Sequence, residues 1–255
     1  MIKKLFILFL ILFSVSVIAD TAPTNKLYQV NLIVFSHITS DALHSENWPN
    51  QLLTPDLRGS INLFTQSTVG SYQLLPEKQS GLSKELNQLK GNSDYHILLA
   101  RSWVQPMPSL KYAKWIQIYA GQPYDKAGQP MNDHTPLQIA ENQENAAFPD
   151  MLQEKPAYWE LNGKIKVGFQ TFYQAYLQLY LTEPESIIGG PANSDTIGNF
   201  QTIPLQTFYL QENRHTRLND VNYIDHPLFC AIINITPYYK TEPPATSSPI
   251  FELQN

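Results

Sequence analysis

The densest group of polar side chains in the chain lies between positions 214 and 226 and is followed by Pro227. It combines cations, carboxylates, imidazoles and a phenol: Arg214, His215, Arg217, Asp220, Tyr223, Asp225 and His226. Asp225 and His226 have the residue types of a general-base pair, but adjacent residues of an extended chain point to opposite sides. A catalytic pair must also lie within hydrogen-bond reach. We therefore interpret Asp225 as the cap of a short turn, with Pro227 at its first helical position.

The two arginines of this group, Arg214 and Arg217, allow two interpretations. They could form a fork that binds a carboxylate or a phosphate. They could equally be solvated charges on an edge strand, where charge discourages aggregation between sheets. The sequence leaves both interpretations open.

Tryptophan side chains offer flat apolar faces with a polar edge to a sugar ring. The chain has four of them, and we expect most to be core residues and only one or two to be accessible. The resulting candidates for ligand binding are Arg214, Arg217, Tyr223, His226, Trp103 and Trp48.

Most catalytic machinery leaves a local motif, and this chain has none of the common ones. It lacks a nucleophile-elbow signature, a zinc-helix histidine pair, a phosphate loop and a dinucleotide glycine fingerprint. The six histidines are scattered, without the short spacing of metal ligands. Cys230 lies in an apolar context, where a buried thiol behaves as a small hydrophobe. The sequence therefore predicts no catalytic residue, no metal and no cofactor.

The N-terminus has the pattern of a secretion signal. Lys3 and Lys4 precede an apolar stretch that ends in small residues at Ala19, and this order is typical of a cleavable signal peptide. The apolar stretch is shorter than the roughly 20 residues of a spanning helix. We expect cleavage after Ala19, export to the periplasm and no stable membrane insertion afterwards.

The charge of the chain bears on its partners. Without residues 1–19 it has 15 basic residues against 22 acidic ones, a net charge of −7. Nucleic acid is not an expected partner, because phosphate contacts need clustered lysine and arginine. The single cysteine excludes an intramolecular disulfide, so the stability of the fold must come from its core.

Hydrophobic periodicity predicts more strands than helices. Strands are predicted at 27–35, 95–104, 115–119, 205–211 and 231–237, and one short amphipathic helix is predicted at 82–90. Residues 164–181 are interpreted as one long bent strand, although the tyrosine spacing also fits a helix over 172–181. The predicted fold class is α+β, a mostly antiparallel sheet with one or two short helices and long Pro/Asn/Gly-rich loops. We expect a single domain over 20–240 and a mobile Pro/Ser-rich tail over 241–255.

The C-terminal motif carries a family resemblance. Its residues are Arg214, Arg217 and Tyr223, then Asp225-His226-Pro227-Leu228-Phe229, then Ile235-Thr236-Pro237. This motif resembles the closing motif of the CsiV-type family of periplasmic peptidoglycan-binding proteins. Three weaker similarities occur in the same order along the chain: Val34-Phe35 before Glu46, Trp48 and Pro49; Trp103, Gln105 and Pro106; and the segment 173–181.

The resemblance implies a non-catalytic protein that binds peptidoglycan in the periplasm. It also implies assistance to a lipoprotein that activates a bifunctional class A penicillin-binding protein. The alternative is a hydrolase that attacks the cell wall with Asp225, His226 and a neighbouring tyrosine or arginine.

Overall fold

A computed structural model describes residues 26–39, 41, 46–131, 155–187, 195–197 and 200–239. Its strands are β1 (Leu27–Ser36), β2 (Thr68–Val69), β3 (Tyr72–Leu74), β4 (His96–Pro106), β5 (Ile116–Tyr124), β6 (Tyr158–Phe169), β7 (Tyr173–Pro184), β8 (Asp195–Ile197), β9 (Phe200–Thr202), β10 (Leu205–Thr216), β11 (Val221–Ile224) and β12 (Phe229–Tyr238). The α-helix in this part of the chain, α1, spans Ser83–Lys90. The predicted signal over 1–19 and the predicted tail over 241–255 lie outside the described residues.

Strand β1 lies in the middle of a six-stranded sheet. The strand order is β11-β12-β1-β4-β3-β2, and β1 is antiparallel to both of its neighbours. The sequence of β1, LYQVNLIVFS, is apolar on both faces towards its end, as a strand covered on both sides requires. Its last seven residues are all buried.

The second sheet has four strands in the order β10-β7-β6-β5. The prediction of one long strand over 164–181 is wrong, because the chain reverses at residues 170–172 and forms the β6–β7 hairpin. The competing helix over 172–181 is also absent, since those residues belong to β7. The alternation of apolar residues correctly indicates strand on both sides of the reversal. The turn at residues 170–172 has no Asn-Gly or Asp-Gly pair, which is the sequence signal that marks a hairpin.

The main core lies between the two sheets. It contains alternate residues of β1 and β12 from the first sheet and of β6 and β7 from the second. Burying one such Leu or Ile side chain contributes about 1.5–3 kcal/mol. The side-chain amide of Gln105 in β4 donates to the carbonyl oxygen of Val167 in β6 at 3.0 Å and thereby links the sheets.

Helix α1 covers the other face of the six-stranded sheet. Leu82, Leu86 and Leu89 lie at helical spacing and pack against a second cluster of buried side chains. The sheet contributes Ile33, Phe35, Cys230 and Ile232 to this cluster. The helix predicted at 82–90 is thus confirmed, and its apolar stripe is what places it on the sheet.

A polar network under the approach to α1 is buried with the apolar residues. Asn31 is fully buried, and its Oδ1 accepts from the backbone N–H of Gly81 at 2.8 Å and from Ser102 Oγ at 2.7 Å. Its Nδ2 donates to Asn234 Oδ1 at 3.1 Å. The network therefore joins the segment before α1 to three adjacent strands.

Within the described ranges, the mostly antiparallel strands and the short helix α1 confirm that part of the predicted fold class. Every ladder between the named strands is antiparallel, and an isolated parallel bridge joins Ile61 to Ile116. The described part of the chain contains no helix with the length and apolarity needed to cross a membrane.

Candidate functional site

The C-terminal motif forms one end of the six-stranded sheet. Strands β11 and β12 pair as a hairpin, with Ile224 opposite Ala231, and residues 225–228 form the turn between them. The turn is tied to the end of β1, since the backbone N–H of His37 donates to the carbonyl oxygen of Leu228 at 3.0 Å. Residues of the C-terminal motif are therefore neighbours of β1 in space, although they lie far from it in the sequence.

The interpretation of Asp225 as a helix cap is not supported by the fold. No helix begins at Pro227, and the Asp225 carboxylate accepts a hydrogen bond from the Cys230 thiol, with Sγ and Oδ1 2.9 Å apart. The turn is instead held by His226, whose Nδ1 accepts from the backbone N–H of Leu228 at 3.3 Å. The sequence could not show which side chain the backbone N–H of Leu228 would meet in this turn.

His226 lies in an aromatic cluster rather than beside a carboxylate. Its ring centroid is 4.7 Å from that of Phe229 and 5.3 Å from that of Trp48. Burial lowers the pKa of His226 to about 4, so the imidazole is neutral at neutral pH. In the described structure no hydrogen bond joins Asp225 to His226, so the pair proposed for the hydrolase alternative is not formed.

The two tryptophan candidates are placed differently. Trp103 is 2% exposed and donates from Nε1 to Gln105 Oε1 at 2.8 Å, so its ring is a core element and cannot stack on a sugar. Trp48 is partly buried and packs edge-on against Phe208 with centroids 5.4 Å apart. The candidate role of Trp103 is thus corrected, because its strand faces the core between the sheets.

The arginine and tyrosine candidates are on the surface. Arg214 lies on β10, which is the edge strand of its sheet, and Arg217 follows directly after that strand. Both side chains are exposed, and neither guanidinium group forms an ion pair with the described residues. Tyr223 on β11 is 48% exposed, with its ring 6.1 Å from that of Phe35. These positions suit edge-strand charges as well as a shallow binding surface.

The site that the sequence reasoning missed is a cavity of about 420 Å³ between the sheets. It lies where β4 approaches β5 and β6. Its polar lining comes from His96 and Arg101 of β4, Gln122 of β5 and Glu160 of β6. None of these residues belongs to a motif, and they converge only because strands of two sheets meet there.

Glu160, which lines this cavity, is paired with a second buried carboxyl group, that of Glu183. Glu160 is 7% exposed and Glu183 is 5% exposed, and their side chains are hydrogen-bonded to each other. Burial raises the pKa of Glu183 to about 8, and the charge of Glu160 adds to the rise. At neutral pH the Glu183 carboxyl group is therefore largely protonated and can donate a hydrogen bond to Glu160.

His96 faces this pair from the other sheet. Its Nε2 lies 3.4 Å from Glu160 Oε1, and this hydrogen bond raises the pKa of His96. The imidazole is largely exposed whereas the carboxyl group is buried. The contact therefore places the mouth of the cavity at His96 and the acidic pair beneath it.

A β-bulge shapes the wall of the cavity. The register of β5 against β6 shifts between Ala120 and Pro123, and the backbone N–H of Gln122 donates to Glu160 Oε2 at 2.7 Å. Gly121 in the bulge has φ +76°, and a Cβ there would lie 2.5 Å from the same oxygen. Only glycine fits both the backbone conformation and the close approach of the carboxylate.

Arg101 adds a positive charge to the same lining. Its Nη1 donates to the carbonyl oxygen of Ala100 at 3.1 Å. Its Nε is shielded from solvent and has no hydrogen-bond partner within the described ranges. The cavity thus offers an anion-binding guanidinium and a cation-binding carboxyl pair, which suits a ligand that carries both charges.

A family model described as "Peptidoglycan-binding protein, CsiV" matches residues 4–238. No curated protein and no solved structure matches the chain.

Proposed function

Because the chain belongs to the CsiV family of peptidoglycan-binding proteins, we propose that it is a non-catalytic periplasmic protein that binds the cell wall through the cavity at Glu160 and Glu183. The family description indicates peptidoglycan binding and with it a location in the cell envelope. The observation that carries the choice of site is the mixed charge of the cavity. Peptidoglycan stem peptides carry free amines and carboxylates, and Arg101 and the Glu160–Glu183 pair are complementary to these groups.

The proposal of a non-catalytic role has two supports in the geometry. Asp225 and His226 do not form the pair that the hydrolase alternative requires, since each has a different partner. The Glu160 and Glu183 carboxyl groups bond directly to each other. The two carboxylates of a glycosidase instead stand roughly 5 Å or more apart, to leave room for the sugar and the attacking group.

We further propose that the bound protein assists a lipoprotein that activates a class A penicillin-binding protein. The support for this partner is the resemblance of the C-terminal motif, which forms an exposed hairpin end. Reconstituted glycan polymerisation by such an enzyme and its activator, with and without this protein, tests the proposal. An unchanged polymerisation rate would contradict it.

The same proposal includes the domain organisation expected from the sequence. A cleaved signal over 1–19, one globular domain over 20–240 and a mobile tail over 241–255 are consistent with a protein that acts in the periplasm. The strands β1 to β12 fall within the proposed domain.

Sedimentation with purified sacculi, combined with a turnover assay, tests the binding site. Arg101→Gln and Glu160→Gln each remove one charged side chain from the lining of the cavity, and each should weaken binding by roughly tenfold or more. Glu185→Gln, two positions from Glu183 and outside the cavity lining, is the matched control and should bind as the parent does. Equal binding by all variants would exclude the cavity, and release of soluble fragments would show catalysis.

A further inference from the structure

A second convergence of polar side chains lies at the end of three adjacent strands. His37 follows β1, Asp225 follows β11 and Cys230 is the second residue of β12. The strand order β11-β12-β1 places these three positions side by side. Their potential ligand atoms all lie within 4.8 Å of one another.

The distances are close to those of a metal centre. Cys230 Sγ is 2.9 Å from Asp225 Oδ1 and 3.8 Å from His37 Nδ1. Ligand atoms of a tetrahedral zinc ion stand about 3.4–3.6 Å apart, given the usual metal–ligand bond lengths. The third pair, the His37 nitrogen and the Asp225 oxygen, lies within 4.8 Å, so it would need to approach by at most about 1.4 Å, shared between two side chains, to reach this spacing.

The backbone around the cluster is already fixed. Cys230 is paired with Phe35 in the β1–β12 ladder, and His37 is held by its N–H bond to Leu228. The ring of Tyr95 lies 6.4 Å from that of His37 and 5.1 Å from that of Phe35. These contacts hold two of the three side chains on rigid elements, so little ordering would remain for an ion to impose.

We propose that His37, Asp225 and Cys230 bind a divalent transition-metal ion of the zinc type. A thiolate and an imidazole select such ions over Mg²⁺ and Ca²⁺, which prefer oxygen ligands. Three protein ligands leave one tetrahedral position, and the exposed Asp225 and partly exposed His37 place it on the solvent side. The ion would fasten the β11–β12 turn to the end of β1.

The chemistry of binding balances as a proton exchange. In the metal-free protein the Cys230 thiol donates a hydrogen bond to Asp225 Oδ1, so its sulfur carries a proton. Formation of the metal–sulfur bond displaces this proton to solvent, and the carboxylate that accepted the hydrogen bond becomes a ligand. No oxidant or reductant is needed.

Titration of the reduced, metal-free protein with Co²⁺ tests the site, because a cobalt–thiolate bond gives a charge-transfer absorption that carboxylate or imidazole ligands do not give. We expect one equivalent of Co²⁺ to produce this band and Zn²⁺ to abolish it by displacement. Saturating Zn²⁺ should also raise the Tm, as any ligand of the folded state does.

Three single substitutions and one control complete the experiment. Cys230→Ser should remove the band. His37→Ala and Asp225→Asn should each weaken Co²⁺ binding by more than roughly 100-fold, because losing a direct ligand costs more than losing a residue that only orients one. His215→Ala, an exposed histidine on β10 in the other sheet, is the matched control and should leave binding unchanged.

Circular dichroism establishes that each variant is folded before titration, and His37→Ala keeps the test decisive if the buried Cys230→Ser variant does not fold. Absence of the thiolate band in the parent would overturn the proposal. Parent-like Co²⁺ binding by folded His37→Ala and Asp225→Asn would also overturn it.

Discussion

The side chain of Glu183 is paired with that of Glu160, which lines the cavity between the two sheets. No acidic residue is adjacent in sequence to Glu160 or to Glu183, and Glu185 lies two positions after Glu183. The sequence around them therefore does not indicate an acidic site. Their contact makes the protonation state of one depend on the charge of the other.

This pair should make stability depend on pH. The pKa of Glu183 is raised from 4.5 to about 8, so the folded state holds a proton that the unfolded state releases. Its stabilising contribution is therefore complete below about pH 4.5 and is lost as the pH rises through about 8. The raised pKa of His96 acts in the same direction.

We expect the free energy of unfolding of the parent to fall by on the order of 1–3 kcal/mol between about pH 5 and pH 8, relative to Glu183→Gln. Urea unfolding at several pH values measures this difference. Parallel pH profiles for parent and variant would show that the proton is not shared in the folded protein.

Replacement of Gly121 should disturb the cavity wall. Gly121→Ala combines a left-handed backbone with a Cβ placed 2.5 Å from Glu160 Oε2, and we expect a loss of about 2–4 kcal/mol in unfolding free energy. Gly59→Ala is the matched control, because Gly59 has φ +71° but nothing within 4 Å of its added Cβ. The control should lose only about 1–2 kcal/mol from the backbone strain.

Denaturant unfolding of the two glycine variants gives the comparison, and sacculus sedimentation of folded Gly121→Ala shows whether binding falls with it. An equal loss of stability in both variants would mean that the carboxylate moves aside without cost.

Removal of Asn31 should destabilise the packing of α1. Asn31→Ala leaves the Gly81 N–H, the Ser102 hydroxyl and the Asn234 amide without their shared partner, at an expected cost of about 3–5 kcal/mol. Asn213→Ala, at an exposed position of β10, is the control and should change stability by less than about 0.5 kcal/mol. Thermal unfolding distinguishes them, and a similar Tm for both would mean that water replaces the network.

The exposed arginines should contribute little to stability and modestly to wall binding. Arg214→Ala with Arg217→Ala should change the unfolding free energy by about 0.5 kcal/mol or less, because neither side chain has an ion-pair partner in the described structure. Exposed ion pairs with a ligand are worth about 0–1 kcal/mol each, so binding to sacculi should weaken several-fold.

Sedimentation at low and high salt measures the contribution of the arginines. We expect salt to weaken parent binding only modestly, since the protein is acidic overall and long-range attraction is small. Complete release of the parent by moderate salt would contradict short-range recognition.

Export should remove residues 1–19. The apolar stretch before Ala19 is too short for a permanent span, so the exported protein should begin at Asp20. Intact-mass measurement of the periplasmic fraction checks the mass, and membrane fractions serve as the control. Recovery of the uncleaved chain in the membrane would contradict the prediction.

Local patterns in the sequence were sufficient for most elements and for the family. The β-branched and apolar residues of β1 predict a strand, and the leucines of α1 at helical spacing predict a helix. Both patterns are local, because each depends only on which side of a single element is apolar. The C-terminal motif was likewise recognisable because its residues are close together in the chain. The cap at Asp225 and the candidate ligand-binding role of Trp103 were wrong, since both depend on what packs against these side chains.

Only the tertiary structure decided which side chains meet. Glu160 on β6 is paired with Glu183 on the neighbouring strand β7, and it also contacts His96 of the other sheet. His37 lies close to Cys230 because β1 pairs with β12. Each contact depends on strand order and register, which are set by the burial of whole faces. A shift of one residue would turn every one of these side chains to the opposite face, and no local pattern records that choice.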